Sequence, residues 1–247
     1  MKAAIQRFFN IFGLEISRRK ETDYEFRPSL APDTPIDPYS KIKLMSVKDI
    51  VDLESLAEIS RTLPGMITPQ SGQFLYSLCY MQRKKGDVVE IGSWQGRSTS
   101  FLARAVSNSR NGRFYAIDHF AGTPGEAKSS FRVTRDDLSD LENNFHSNMK
   151  RVGLSDCVTL LNMSNEKAVA RLSDAQIRFL FIDGDHSKEG VAKDIELFFP
   201  KLSKGSIVVF DDFRPHAKGV IEAIDERLAE HKVSRIMSYH GTLVIQI

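Results

Sequence analysis

Two segments far apart in the chain end apolar runs in carboxylates: Phe181-Ile182-Asp183-Gly184-Asp185-His186 and Val208-Val209-Phe210-Asp211-Asp212-Phe213. The runs before them are short and rich in β-branched and aromatic residues, the pattern of strands buried on both faces. A carboxylate at such a strand end is costly to bury unpaired, so it must meet water, a cation or a ligand. His186 closes the first segment, and an imidazole titrates near neutrality. In an open α/β sheet, ligands bind at the carboxyl ends of the strands. Both segments therefore mark a candidate site.

A second constellation precedes them. Val88-Val89-Glu90-Ile91-Gly92-Ser93-Trp94-Gln95-Gly96-Arg97-Ser98 joins an apolar run to a helical pattern. Gly92 and Gly96 let the backbone pass close to a ligand, and the helix start offers free N–H groups. The G-x-x-x-G spacing is neither the G-x-G-x-x-G of dinucleotide sites nor a phosphate loop with GK[ST]. This argues against a pyrophosphate ligand and a nicotinamide enzyme; glycines that serve only a tight turn are the plain alternative. Trp94 either stacks on a ligand or packs beneath the loop. Asp118 ends the next apolar run, about 20 residues beyond the loop, where an acidic side chain can accept both hydroxyls of a ribose.

These residues need a frame. From Gly86 onward strand patterns (88–91, 113–117, 158–162, 177–182, 206–210) alternate with helical ones (93–107, 135–151, 165–172, 188–202, 217–230). That order predicts a doubly wound, mostly parallel α/β sheet with right-handed crossovers. Runs at 233–239 and 242–247 around His240-Gly241 predict a closing antiparallel hairpin. Helices are expected at 46–62 and 69–83. Ile5, Phe8, Phe9, Phe12 and Ile16 recur at helical spacing over 1–20, and Pro28, Pro32, Pro35 and Pro38 make 21–40 an extended connector. Residues 1–64 are thus expected to form a helical arm and connector, a lid or an oligomerisation element, and 65–247 the main domain. The stretch 119–134, with Gly122, Pro124 and Gly125, has the length of a lid loop.

The 247 residues are 41% hydrophobic, enough for a sizeable core, and the net charge of +2 gives no support for a nucleic-acid or anionic-membrane partner. Cys79 and Cys157 are isolated, which argues against zinc and disulfides and fits a reducing, cytoplasmic compartment. No apolar run approaches the length of a membrane span.

Together the motifs resemble the class I S-adenosylmethionine-dependent methyltransferases over roughly residues 65–247. Val88–Gly92 is similar to their first motif, with Glu90 as its acidic residue, and the closing hairpin is similar to the end of their seven-stranded sheet. The resemblance assigns the cofactor to Glu90 and to the loop residues Gly92, Ser93, Trp94 and Gly96. It adds Asp118 for the ribose, Ser164 or Asn165 for the adenine, and Asp183 near the reactive end; for Ser164 and Asn165, capping the following helix competes. Asp183, Asp211 and Asp212 resemble the ion ligands of the metal-dependent branch, the catechol-type and macrolide-sugar-type O-methyltransferases. The implied ion is Mg²⁺, with Ca²⁺ or Mn²⁺ as substitutes. Asp211 and Asp212 can share an ion only if the strand has already turned at Asp212, because successive strand residues point to opposite faces; otherwise one of them caps a helix or pairs with Arg214.

The lysine base of the catechol enzymes has no counterpart, since Lys188 belongs on a helix surface. His186 is the candidate base; Asp185 is the alternative, in competition with a capping role. His119 and His216 read as surface loop residues. The implied activity is methylation of a small hydroxylated molecule, a sugar or glycoside. The alternatives are a metal-independent methyltransferase using His186 or Asp185, and a non-catalytic cofactor-binding scaffold.

Overall fold

In the computed structural model the apolar runs become the interior strands of a seven-stranded sheet. The structure describes residues 14–18, 24–28, 47–122, 140–172, 174–229, 231, 233, 235–239 and 241–247, with backbone alone for 14–18, 24–28, 47, 235 and 236. It divides into two compact units, Met1–Ile50 and Val51–Ile247.

In the first unit, β1 (Leu14–Arg18) and β2 (Tyr24–Pro28) pair antiparallel, Leu14 opposite Pro28 and Arg18 opposite Tyr24. This corrects the helix expected to run through residue 20 and the connector expected over 21–40, where they are described. Leu14-Glu15-Ile16-Ser17 and Tyr24-Glu25-Phe26-Arg27 alternate apolar and polar, and that period of two belongs to a strand. The remainder of 1–46 lies outside the described residues, as do 123–139, which hold most of the expected lid loop.

Two helices, α1 (Val47–Ser60) and α2 (Pro69–Met81), precede the sheet. Thr68 starts α2 by accepting a hydrogen bond from the Ser71 amide at 3.1 Å, and Pro69 fits the first turn, where its missing N–H costs nothing. The alternating part follows: β3 (Asp87–Ile91), α3 (Arg97–Ser109), β4 (Phe114–Asp118), α4 (Leu141–Arg151), β5 (Thr159–Asn162), α5 (Asn165–Arg171), β6 (Ile177–Ile182), α6 (Lys188–Phe198), β7 (Leu202–Phe210), α7 (Lys218–Leu228), β8 (Arg235–Tyr239) and β9 (Thr242–Gln246). The strand order is β5-β4-β3-β6-β7-β9-β8. Strands β3 to β7 are parallel, while β9 runs antiparallel to both β7 and β8. The mostly parallel sheet with an antiparallel closing hairpin is the expected architecture. The chain order reverses between β3 and β6, so the cleft above their carboxyl ends is the switch point where such sheets bind ligands.

Every residue of β3 and β6 is buried, which explains their unbroken apolar reading. Arg178 is the exception in β6, fully buried, with its guanidinium donating to the carbonyls of Gly86, Asn111 and Cys79 at 2.7–3.1 Å. Several boundaries differ from expectation, two of them for a clear local reason. Helix α3 begins at Arg97 instead of residue 93, because Trp94 (φ 42°) and Gly96 (φ 88°) turn left-handed. Helix α6 ends at Phe198 instead of residue 202, because Pro200 cannot continue it, and β7 starts at once at Leu202. Among the described residues no helix is long and apolar enough to cross a membrane.

Candidate active site

Backbone hydrogen bonds line up the strand ends. Gly92 N–H donates to Ile117 O (2.9 Å), Asp183 N–H to Ile91 O (2.9 Å) and Asp211 N–H to Ile182 O (3.0 Å). Asp118, Gly92, Asp183 and Asp211 therefore stand in one row along the carboxyl edge of four adjacent strands.

The glycine loop is locked into that row. Gly92 has φ +85°, and a Cβ there would lie 2.0 Å from Asp183 O and 2.8 Å from Gly184 Cα. Its lack of a side chain thus serves a close approach of two backbones, the glycine loop against the acidic turn. Gly96 has φ +88° and faces Met149 Cε, 2.5 Å from where its Cβ would be. Asp118 accepts from the amides of Trp94 (2.8 Å) and Phe120 (2.7 Å), one on each oxygen. A carboxylate has about four acceptor sites, so two remain. Glu90 is fully buried in β3; burial pushes its carboxyl up to about 7, against the pull of the Ser98 and Thr99 hydroxyls. Thr99 donates to Oε2 at 2.5 Å, while Glu90 Oε1 and Ser93 Oγ, also buried, have no hydrogen-bond partner among the described residues. Trp94 is half-buried in the loop.

After β5, Ser164 precedes α5 without a side-chain capping bond, and Asn165 turns its amide to Asp194, Nδ2 to Oδ1 at 2.6 Å. After β6, Asp185 accepts from the Ser187 amide at 2.8 Å, and Ser187 caps α6 by accepting from Gly190 N–H at 3.0 Å. The cap of α6 is thus Ser187, and Asp185 holds the turn before it.

His186 stands between carboxylates from two strand ends: Nε2 is 3.4 Å from Asp183 Oδ1, and Nδ1 is 3.7 Å from Asp212 Oδ2. Burial raises the Asp183 carboxyl, the charge of Asp211 raises it further, and His186 pulls it back. Asp211 is raised by burial and then by Asp212. The chain does turn at Asp212 (φ 50°), as a shared ion requires, yet Asp212 also lies 3.6 Å from Arg214 Nε. Among the described residues no three His, Cys, Asp or Glu side chains converge closely enough to hold an ion. In donor chemistry the acidic row fits a hard cation: adjacent carboxylates whose mutual repulsion a positive charge would relieve. In arrangement His186 occupies the space between Asp183 and Asp212.

Lys188 pairs with Glu226 at 2.5 Å on the outer faces of α6 and α7, away from the acidic row. His119 and His216 are exposed. Three residues of structural consequence escaped the sequence reading. Arg97 ties the segment before α2 to the glycine loop, donating to Leu63 O and Ile67 O. Arg178 and Asp194 are buried charges, and their signal was present: each interrupts an apolar pattern, Ile177-Arg178-Phe179 on β6 and Val191, Asp194, Ile195, Phe198 on α6.

The family described as "Methyltransferase domain" matches residues 89–213, from β3 through the second acidic segment. The chain belongs to this methyltransferase-domain family. One curated relative, a Streptomyces olivaceus protein, is the 8-demethyl-8-(2,3-dimethoxy-alpha-L-rhamnosyl)-tetracenomycin-C 4'-O-methyltransferase, 26% identical over 167 residues, which are 63% of each chain. The chain thus spans about 63% of the length of the curated relatives it matches. Among solved structures, the O-methyltransferase NovP superposes with TM-score 0.67 at 18% identity, covering 81% of this chain and 98% of NovP. An O-methyltransferase from Bacillus cereus in complex with SAH gives TM-score 0.56 at 19% identity, covering 80% and 91%. These likenesses establish the class I methyltransferase fold.

Proposed function

We propose that the chain transfers a methyl group from S-adenosylmethionine to a hydroxyl oxygen of a small acceptor, a sugar or glycoside, with Mg²⁺ assistance. The contact that carries this reading is the one between Gly92 and Asp183, too close to admit a Cβ. A cofactor seated on the glycine loop would bring its reactive end beside Asp183, His186 and Asp211. The spare acceptor sites of Asp118 suit ribose hydroxyls. The unpartnered Glu90 Oε1 and Ser93 Oγ suit a ligand with donors and acceptors near the loop. The sugar-directed activity of the Streptomyces relative supports the acceptor class.

The cofactor's sulfonium supplies an activated methyl group. Transfer breaks one carbon–sulfur bond, makes one carbon–oxygen bond and releases the hydroxyl proton. The protein's part is to align acceptor and cofactor and to take that proton. His186, oriented by Asp183 and Asp212, is the group placed to receive it. Asp183 and Asp211 would hold Mg²⁺, or Ca²⁺ or Mn²⁺, with Asp212 joining if the imidazole swings aside, and the ion would supply Lewis acidity that lowers the acceptor hydroxyl pKa.

A second reading, metal-independent transfer with His186 as sole base, is favoured by the imidazole standing between the carboxylates. Labelled methyl transfer to a panel of nucleotide sugars and glycosides separates the two. On the first reading a chelator lowers the rate about 100-fold or more, Mg²⁺ restores it, and Asp211→Asn loses as much. Activity that survives the chelator but falls about 100-fold in His186→Ala supports the second. Cofactor binding without turnover on any acceptor is the scaffold outcome.

A role of residues 1–64 as lid or oligomerisation element, with 65–247 as the methyltransferase domain, belongs to the same proposal; light scattering of the full chain would return a dimer or larger. The two isolated cysteines, Cys79 and Cys157, suit a cytoplasmic location.

A further inference from the structure

Asp194 sits on α6 within the buried stripe of Val191, Ile195 and Phe198 and is 3% exposed. Its Oδ1 accepts from Asn165 Nδ2 at 2.6 Å, and its Oδ2 has no hydrogen-bond partner among the described residues. A Cβ on Gly184 would lie 3.9 Å from that Oδ2, 3.9 Å from Gly92 N and 3.2 Å from Ile91 Cγ2. One dry carboxylate thus holds the loop after β5 through Asn165, while its second oxygen lies near Gly184 of the acidic turn, which itself rests on the glycine loop. An apolar residue at 194 would pack in the same stripe without desolvating a charge. What the carboxylate adds lies in the bond its Oδ1 makes to Asn165.

The bond to Asp194 also decides which way the Asn165 amide faces. Asn165 turns its Nδ2 to Asp194 Oδ1, the orientation an ionised carboxylate requires because it only accepts, and this leaves the Asn165 Oδ1 as an acceptor on the other arm of the amide. We propose that Asp194 is a positioning residue for nucleobase specificity: it fixes the Asn165 amide so that Oδ1 accepts from the exocyclic amino group of the cofactor's adenine. The inference rests on the cofactor-binding reading above and goes beyond it by naming the residue that sets base choice. An adenine ring offers an amino donor at this edge, whereas its deaminated counterpart, hypoxanthine, offers a carbonyl oxygen, which would face Oδ1 acceptor to acceptor. A free amide could flip to suit either base.

Calorimetry on the full chain at about pH 8.5, where the Asp194 carboxyl, raised to about 7 by burial, is ionised, with S-adenosylhomocysteine and with its deaminated analogue, S-inosylhomocysteine, tests this. Wild type should prefer the adenine compound by about tenfold or more, the effect of one mismatched hydrogen bond in a partly buried site. Asp194→Ala and Asn165→Ala should each bring that preference down to about threefold or less. Asp194→Asn, whose amide oxygen still accepts from Asn165, should keep it. A purely structural role for Asp194 would weaken both ligands equally and leave the ratio unchanged, and that result overturns the proposal. So does a wild type that binds both ligands equally, while the cofactor reading survives. A wild type that binds neither sinks the cofactor reading as well. If Asp194→Ala fails to fold, Asp194→Leu, which fills the same stripe beside Val191, Ile195 and Phe198, carries the test with the same expected loss of preference.

Discussion

Gly92→Ala tests the join between the glycine loop and the acidic turn. The new Cβ would fall 2.0 Å from Asp183 O, whereas carbon and oxygen meet without strain at about 3.3 Å. The two backbones must part by roughly 1.3 Å to reach that spacing. Such a shift breaks the Asp183 N–H bond to Ile91 O, now 2.9 Å long. Alanine in the left-handed region costs about 1–2 kcal/mol, and overpacking of this kind about 1–3 more. Gly153→Ala is the control, for Gly153 also has positive φ (+67°) but nothing within 4 Å of its Cβ position. It should lose only the conformational part, about 1 kcal/mol, and bind S-adenosylhomocysteine as wild type does. Urea unfolding should show Gly92→Ala about 1–3 kcal/mol less stable than Gly153→Ala, the overpacking part alone. Calorimetry should show its ligand affinity down at least ~10-fold, since misplacement on the order of 1 Å is costly at a binding or reacting centre. Equal stability of the two variants, with unchanged ligand binding in both, would refute the reasoning.

Other changes have equally defined outcomes. Glu90 has its carboxyl raised from 4.5 to about 7 in the folded protein. The folded state therefore keeps a proton that the unfolded chain releases, and the associated stability, full below about pH 4.5, is lost as pH rises through 7. Glu90→Gln should be more stable than wild type at pH 8 by up to about 3 kcal/mol and little different at pH 5. Asp194, raised to about 7 mainly by burial, titrates in the same window in both proteins, so the comparison isolates Glu90; a pH-independent difference in urea titrations contradicts the assignment. Arg178→Met strips the donors from three buried carbonyls and should cost about 3–5 kcal/mol, a melting-temperature fall on the order of 10 °C; a shift under about 2 °C would count against that role. Arg97→Lys cannot reproduce the forked bonds to Leu63 O and Ile67 O. It should expose residues 63–67 to faster proteolysis than wild type, and an unchanged cleavage pattern would contradict the tie.

The sheet was legible because its central strands are buried on both faces and so read as unbroken apolar runs. The acidic site was legible for a related reason: Asp118, Asp183 and Asp211 come at the first positions where those runs stop. The alternation of strands with helices and the closing hairpin could be expected, but neither the order of strands across the sheet nor the hydrogen-bond row that aligns their ends could. The purpose of Gly92 was half visible. Its left-handed turn follows from residue type, while its contact with Asp183 joins residues far apart in sequence and needs the fold. Leu14–Arg18 misled because a helical spacing upstream outweighed a strand alternation of only a few residues. The swing of Asp212 toward His186 and the amide of Asn165 facing Asp194 depend on side-chain partners on other elements, which local pattern does not encode. Asp194 and Arg178 could have been noticed as charges on otherwise apolar faces, though not the groups they hold.

The most direct measurement is a crystal structure of the full chain grown with S-adenosylhomocysteine and Mg²⁺. The expected density lies over Gly92–Gly96, with ribose hydroxyls on Asp118, the base against Met163–Asn165 and the sulfur facing the space between Asp183, His186 and Asp211. A ligand bound elsewhere, or one seated on the loop with its sulfur turned away from those three side chains, would contradict the proposed methyl transfer at this edge of the sheet.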